Sequence, residues 1–190
     1  MKKITIIAAG LFLSATTFAQ VWQVDNAHAK LGFTATHLMV NDVDGMFKIF
    51  DATITSSRPD FSDAVFNITA QAGSIFTDND KRDAHLRSAD LFDVEKNPTV
   101  TFKSTSVKKD GDKKLKITGD LTMHGITKTV TMDLWYRGTI VNPMSKGNDA
   151  GFQLTGTIDR TAFNIASGYP DAMISDNVTI KADGEFAIAK

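Results

Sequence analysis

The sequence has no cysteine among its 190 residues. This absence excludes disulfide bonds, thiolate metal ligands and lipid attachment through a cysteine. The chain is nevertheless long enough for one domain with a substantial core. Because no covalent crosslink is available, a closed sheet around a continuous core would supply the stability that small exported domains often take from disulfides.

An excess of basic charge is also missing. The chain carries 21 basic and 22 acidic residues, a formal net charge of -1, and no block of like charges. Nucleic-acid binders need a basic surface, and polybasic membrane-surface segments need clustered lysine or arginine. The composition therefore argues against both kinds of partner.

Long apolar runs are absent apart from one short N-terminal segment. Two lysines precede an apolar run over residues 4–13, and Thr17-Phe18-Ala19 has small residues at the positions that a signal peptidase reads. The run is too short for a stable membrane span. The pattern predicts a signal peptide, residues 1–19, and a mature periplasmic or secreted domain, residues 20–190. A retained N-terminal anchor is the alternative.

Apolar and polar residues alternate along most of the mature chain, which is the period of strands with one buried and one wet face. The clearest alternation covers residues 115–123, 129–137, 152–158 and 178–188. Rougher strands are predicted near residues 29–36, 46–56, 64–76 and 98–107. A one-residue slip of the apolar phase between residues 46 and 54 predicts a bulge.

These strands number eight, or nine with residues 21–25, and no long helical pattern separates most of them. Parallel βαβ units are therefore excluded, and a sandwich or a barrel remains. The long single-phase strands favour an all-β fold consisting of a single eight-stranded antiparallel barrel. A barrel of this size either fills its interior with side chains or holds one small ligand.

Three glycines fall on the inward phase of the predicted strands: Gly119, Gly156 and Gly184. A glycine in such a position packs no side chain and can leave room for a ligand. It can equally relieve the coiling of the strand. The pattern does not separate these two interpretations.

One charged segment breaks the alternation. Residues 77–91 lack a period of two, and Thr77 or Asp78 can cap a helix there. We therefore predict one short helix near residues 78–90 that crosses an end or a side of the barrel. Arg82 and His85 would share a face of this helix and could hold a phosphate or carboxylate head group. From spacing alone, a solvated face paired with nearby aspartates is favoured.

No motif with catalytic chemistry stands out. The four histidines, His28, His37, His85 and His124, lack the spacing of a metal site, and no nucleophile elbow, phosphate loop or dinucleotide fingerprint occurs. The sequence accordingly predicts no catalytic residue, no metal site and no cofactor. His124 with Gly125 predicts a tight turn between two strands.

Seven segments, taken in order, resemble the YceI-like family of exported lipid- or polyisoprenoid-binding proteins. They are residues 28–38, 43–47, 74–77, 82–93, 97–102, 119–125 and 159–163, and the resemblance covers essentially all of the mature chain. It implies an extended, lipocalin-like barrel whose apolar lumen takes an isoprenoid or fatty chain. Ala29, Phe76 and Asn164 depart from the family pattern, and Phe76 is expected to narrow or reshape the cavity beside the helix.

The resemblance and the strand phase together predict the ligand contacts of such a carrier. The lumen lining is assigned to Phe33, Phe47, Phe66, Ile68, Val100, Phe102 and Leu121. The head group of the lipid is assigned to His37, Arg82 and His85. The expected partner is a long-chain isoprenoid, an isoprenoid quinone or a fatty lipid, and pairing of strand edges would allow a homodimer. The alternatives are a small periplasmic enzyme or stress-linked factor that acts on an isoprenoid or quinone, and a filled barrel that binds only proteins.

Overall fold

A computed structural model describes residues 18–189, so most of the predicted signal peptide lies outside the described residues. Within that range the chain forms ten strands, one α-helix and two 3₁₀ turns. They are β1 (Gln20–His37), β2 (Asn41–Phe47), β3 (Phe50–Ser56), β4 (Val65–Gln71), the turn Ala72–Ser74, β5 (Ile75–Phe76), α1 (Asp80–Arg87), β6 (Thr99–Lys109), β7 (Lys114–Met123), β8 (Ile126–Val141), β9 (Asn148–Asp159), the turn Thr161–Phe163 and β10 (Asn177–Ile188).

Eight of these strands form a closed ring. Neighbours pair antiparallel in the order β1, β3, β4, β6, β7, β8, β9 and β10, and β10 pairs again with β1. Beyond the ring, β2 pairs with the second half of β1, and β5 pairs with β2. The prediction of an eight-stranded antiparallel barrel with one short helix is confirmed. Closure leaves the ring without the unpaired edges that an open sheet exposes.

The phase slip for which we predicted a bulge corresponds instead to a break between two strands, because β2 ends at Phe47 and β3 begins at Phe50. There the backbone N–H of Lys48 donates to the Ser74 carbonyl oxygen at 3.1 Å, and that of Ile49 donates to Ser74 Oγ at 3.0 Å. The neighbouring strand β1 has its own bulge between Val24 and Ala29. Residues 20–23 of β1 pair with β3, and residues 31–37 of β1 pair with β2. The break and the bulge between these two parts let one wall of the barrel bend.

An aromatic plug closes one end of the barrel. The loop of residues 57–64 inserts Phe61, which is fully buried, with its ring centroid 5.4 Å from that of Trp22 and 4.9 Å from that of Phe152. Asp63 fastens this loop by accepting hydrogen bonds from Ser56 Oγ at 2.5 Å and from the Ser57 N–H at 3.0 Å. Burial raises the pKa of the Asp63 carboxyl, but these hydrogen bonds outweigh it and lower the pKa to about 2.

Two of the inward glycines permit close packing. A Cβ on Gly119 would lie 2.4 Å from the Lys103 carbonyl oxygen and 2.6 Å from Phe102 Cζ, beside a register shift in β6. A Cβ on Gly156 would lie 2.7 Å from Met132 Cγ. The space beside these glycines is therefore filled by neighbouring protein atoms and does not serve a ligand.

This packing predicts a large difference between two glycine-to-alanine substitutions. Gly119→Ala should lower the free energy of unfolding by about 1–3 kcal/mol, because backbone atoms of β6 must move. Gly73→Ala should change it by less than about 0.5 kcal/mol, because no other atom lies within 4 Å of the new methyl group. Urea denaturation of both variants checks the prediction, and equal midpoints would contradict it.

Candidate functional site

The interior of the barrel contains three adjoining cavities. The lid chamber, of about 120 Å³, lies below α1 and is lined by Phe33, Phe47 and Phe92 among others. The middle chamber, of about 60 Å³, shares Phe47, Met123, Ile158 and Ile180 with it. The inner chamber, of about 50 Å³, shares Leu31, Ile68, Phe102 and Leu154 with the middle chamber. Because consecutive chambers share lining residues, they lie in a row inside the barrel, and we call this row of chambers the lumen.

The wall of this lumen is almost entirely apolar. Among its lining residues, those with titratable side chains are Arg160 at the lid chamber and Lys30 and Asp183 at the inner chamber. The Asp183 carboxylate already accepts hydrogen bonds from Gln153 at 2.8 Å and from Arg137 at 3.2 Å. An environment of this kind favours an apolar ligand, because an unpaired polar group would lose its hydrogen bonds to water there.

The seven apolar residues assigned from strand phase all line these chambers. They are distributed along the lumen, with Phe33 and Phe47 at the lid chamber, Phe47, Val100 and Leu121 at the middle chamber, Ile68 and Phe102 at the middle and inner chambers, and Phe66 at the inner chamber. The inward positions expected from strand phase therefore match the cavity walls. Contact of these side chains with a ligand stays a prediction.

Two segments cover the lid chamber. The first, which we call the helical lid, is α1 with the turns that follow it, residues 80–94, and contributes Leu86, Leu91 and Phe92. The second, which we call the lid loop, connects β9 to β10 over residues 160–176 and contributes Ile165, Ala166 and Ile174. The two segments also meet on the outside, where the His85 and Tyr169 rings lie edge to face with centroids 6.5 Å apart.

Polar contacts at its first turn hold the helical lid in place. Asn79 caps α1 through a hydrogen bond that its Oδ1 accepts from the Arg82 N–H at 3.0 Å. Neither of the predicted caps, Thr77 and Asp78, caps the helix. Instead, the N–H and hydroxyl of Thr77 donate to the buried Asp83 carboxylate at 2.8 and 2.5 Å. Because the Thr77 hydroxyl donates its hydrogen to Asp83, it does not cap the helix.

The structure gives Arg82 an anchoring role. Its Nε donates to Thr77 Oγ1 at 2.7 Å and its Nη2 donates to the Thr77 carbonyl oxygen at 2.6 Å. Arg87 acts similarly, donating to the carbonyl oxygens of Gly73 at 2.8 Å and Ile75 at 2.9 Å. Both arginines therefore fix α1 to the segment that precedes it.

The three residues assigned to the head group lie on two elements and have different neighbours. His37 ends β1 at the solvent and forms a backbone bridge with Ile174 of the lid loop. His85 is exposed and contacts Tyr169, and Arg82 binds Thr77 as described. None of the three is among the residues that line the chambers. A head-group role for them stays a prediction.

Arg160 organises the lid loop, a role that was not assigned from the sequence. The side chain is 5% exposed, and its guanidinium donates to the Asp176 carboxylate at 2.8 Å. It also donates to five backbone carbonyl oxygens of the loop, those of Ile165, Ala166, Tyr169, Ile174 and Ser175. One sequence signal could have revealed it, because Arg160 continues the inward phase of β9 after Phe152, Leu154, Gly156 and Ile158.

A second tether joins the lid loop to the barrel. The predicted turn at His124 and Gly125 forms as expected, with φ of 49° and 71°. From this turn, His124 Nδ1 donates to the Phe163 carbonyl oxygen at 3.1 Å. The histidine thus serves as a structural donor at the rim of the barrel.

Phe76 does not narrow the lumen, and that expectation is wrong. The ring is absent from the residues that line the three chambers and instead lies under the Lys48 ammonium, 3.3 Å from the ring centroid. The reason is the phase of β5, in which the neighbouring Ile75 is the buried residue.

One surface group could offer ligand atoms to a metal ion. Asp25, His28 and Glu185 bring one ligand atom each within 4.8 Å of one another at the bulge of β1. All three side chains are exposed, and the 2.7 Å hydrogen bond between His28 and Asp25 accounts for the approach of these two. That hydrogen bond raises the pKa of His28 and lowers that of Asp25.

The Arg160 contacts predict a strongly destabilised variant. Arg160→Gln should lower the free energy of unfolding by about 3–5 kcal/mol, because it removes a buried guanidinium and leaves several loop carbonyls without donors, at about 1–3 kcal/mol for each buried group. Arg137→Gln is a suitable control, since it removes an exposed pair with Asp183 and should cost less than about 1 kcal/mol. Urea denaturation compares the two, and hydrogen exchange should become faster in residues 160–176 of the first variant alone. Equal losses of stability would contradict the role of Arg160.

Comparison with known proteins identifies related chains. The model of the YceI-like domain matches residues 22–186. Protein YceI of Salmonella newport (strain SL254) is 37% identical over 180 residues, which cover 94% of this chain and 93% of that protein. Among residues 18–189, no helix has the length and apolar character that crossing a membrane requires.

Solved structures share the fold. The YceI protein of Campylobacter jejuni superposes with a TM-score of 0.75 at 26% identity and full coverage of both chains. A polyisoprenoid binding domain from Saccharophagus degradans superposes with a TM-score of 0.67 at 13% identity, covering 90% of this chain and 99% of that one.

Proposed function

Because the chain belongs to the YceI-like family, we propose that it is an exported carrier that holds one long-chain amphipathic lipid in its barrel. The ligand class is a polyisoprenoid, an isoprenoid quinone or a fatty-acid derivative. The observation that carries the proposal is the row of three apolar chambers, which share lining residues from the helical lid toward the aromatic plug. An elongated apolar cavity suits a chain better than a compact ligand.

The energetics of such a lumen favour retention of a long chain. Each methylene group transferred from water to an apolar wall contributes about 0.8 kcal/mol. A chain with ten or more buried carbons would therefore bind well even after the loss of translational and rotational freedom. The aromatic plug at Phe61 blocks one end, so the chain would enter between the helical lid and the lid loop.

The lining also supports a carrier over an enzyme that acts on an isoprenoid or quinone. Of the three titratable groups that line the lumen, Arg160 is engaged by Asp176 and loop carbonyls, and Asp183 is engaged by Gln153 and Arg137. Lys30 is exposed to solvent. Neither Arg160 nor Asp183 is placed as an acid or base toward the apolar wall. The Saccharophagus degradans domain, named for polyisoprenoid binding, shares the barrel architecture that this proposal needs.

The remaining parts of the proposal come from the sequence. Export to the periplasm or outside the cell follows from the predicted signal peptide, residues 1–19. A homodimer through strand edges stays a prediction, and closure of the ring limits the edges to those of β2 and β5.

Organic extraction of the protein purified from its native envelope tests the proposal. Mass spectrometry of the extract should find a long-chain lipid in stoichiometric amount. Ala35→Phe, which fills part of the lid chamber, should weaken retention on the order of tenfold, because it displaces one or two methylene groups. Ala187→Phe, on the exposed face of β10, is the matched control and should retain the lipid. An extract without lipid, or equal retention by the two variants, would refute the carrier.

The head-group assignment has a test of its own. The double variant Arg82→Ala with His85→Ala should bind farnesyl phosphate about tenfold more weakly, since one charge-assisted hydrogen bond contributes about 1.5 kcal/mol. Binding of farnesol, the neutral analogue, should not change. His85→Ala alone keeps the bonds between Arg82 and Thr77 and separates ligand contact from loosening of α1. Tryptophan fluorescence titration measures the affinity for each ligand, and His28→Ala is the control. If wild type and the double variant bind farnesyl phosphate with equal affinity, the assignment is wrong.

A further inference from the structure

The turn between β1 and β2 presents three consecutive apolar side chains to solvent. Leu38 is 50% exposed, Met39 61% and Val40 84%. Met173 of the lid loop lies beside them and is 42% exposed. We call these four residues the apolar tip. Single exposed apolar residues are ordinary on a protein surface, and a contiguous group is a candidate interaction site. Ile140, Val141 and Met144 form a second exposed group at the other end of the barrel, so exposure alone does not single out the apolar tip.

The backbone of this turn is unfavourable for the residues it carries. Leu38 and Met39 have φ of 51° and 59°, and the Val40 N–H donates to the His37 carbonyl oxygen at 3.2 Å. Two central residues with positive φ define the turn type that asparagine and glycine occupy best. Leucine and methionine are costly there, and each keeps half or more of its side chain exposed. The strained turn therefore motivates the inference of a role for these side chains.

The apolar tip belongs to the lid end of the lumen. The Leu38 N–H donates to the Met173 carbonyl oxygen at 2.9 Å, and His37 forms a backbone bridge with Ile174. Ile174 and Ala35, which immediately flank these contacts, line the lid chamber. The tip is thus fastened to one of the two segments that must separate when a chain enters, at the end of the barrel opposite the Phe61 plug.

A bilayer surface fits this feature better than a protein partner. Four side chains at the end of a hairpin expose a few hundred Å², whereas a stable protein interface buries about 800 Å² on each partner. A fluid interface also accepts apolar side chains at the end of a hairpin without a complementary pocket. No basic cluster flanks the tip in the sequence, and the nearest charged residues, Asp42 and Asp171, are acidic. The attraction would therefore be apolar and not electrostatic.

We propose that the apolar tip inserts into the interfacial region of a lipid bilayer and sets the lid of the barrel against the membrane. This inference rests on the proposed function, since a lipid carrier must exchange its ligand with a membrane. Docking at the lid end shortens the passage of the apolar chain through water, where each exposed methylene group raises the barrier to transfer.

Vesicle flotation with phosphatidylcholine vesicles tests the proposal. Leu38→Asn combined with Met39→Gly and Val40→Thr keeps a turn that suits positive φ and should lower the vesicle-bound fraction at least about tenfold. Ile140→Thr with Val141→Thr and Met144→Gln is the matched control, because it removes three exposed apolar residues at the opposite end of the barrel. The control should bind as wild type, and binding of the wild type should be equal at low and high salt.

Each outcome decides the inference. A tip variant that floats like wild type, a control that loses binding equally, or binding that disappears at high salt would overturn it. Dissociation of a dimer by the tip variant in sedimentation without vesicles would overturn it too, and would assign the tip to a second copy of the chain. If the tip variant loses vesicle binding and still yields extractable lipid when purified, docking and carriage are both supported. If vesicle binding depends on the tip but no lipid can be extracted, membrane docking is supported and the carrier function is refuted.

Discussion

The hydrogen bonds between β1 and β10 are the constraint on which the rest of the structure depends. They join the first strand of the chain to the last, from Trp22 opposite Ile188 to Thr34 opposite Thr179. The chain has no cysteine, so closure of the sheet replaces covalent crosslinks as the means of holding its two ends together. Closure also encloses the inward side chains of eight strands in one space, and that space becomes the lumen.

Different kinds of contact close the two ends of the barrel. At one end the Phe61 ring packs against Trp22, Tyr136 and Phe152, so that end belongs to the apolar core. At the other end, buried polar groups hold the lid segments, with Asp83 bound to Thr77 and Arg160 bound to its loop. Opening this end would break the tethers from Arg87 to the Ile75 carbonyl and from His124 to the Phe163 carbonyl, but it would leave the strand pairing of the ring intact. The arrangement suits a container that must open at one end only.

Sequence periodicity was sufficient for the barrel and for the inner face of its wall. The alternation of apolar residues in β6, β7 and β9 follows from the pleat of a strand, so the inward position of residues such as Phe102 and Leu121 could be predicted. The helix was also predictable, because a charged segment without period two interrupts the strands. Local pattern failed where a side chain has two competing partners, as with Thr77, whose hydroxyl binds Asp83 and leaves the cap to Asn79.

The lid could not be predicted in the same way. The carbonyls that bind Arg160 come from five positions of an irregular loop, and only the folded loop brings them together. The alternation of β9 places Arg160 on the inner face of the barrel, but this position alone does not predict which loop carbonyls the side chain binds. The apolar tip was not predicted for a related reason, because the positive φ of Leu38 and Met39 is a property of the folded turn.

The central claim is that the barrel encloses an apolar lumen that a lipid chain occupies. A high-resolution crystal structure of the protein, purified from its native envelope without denaturation or extraction, tests it most directly. The account predicts continuous elongated electron density that runs from Phe92 past Phe47 toward Phe152. A lumen closed by its own side chains, or chambers that each hold separate ordered waters, would contradict the account.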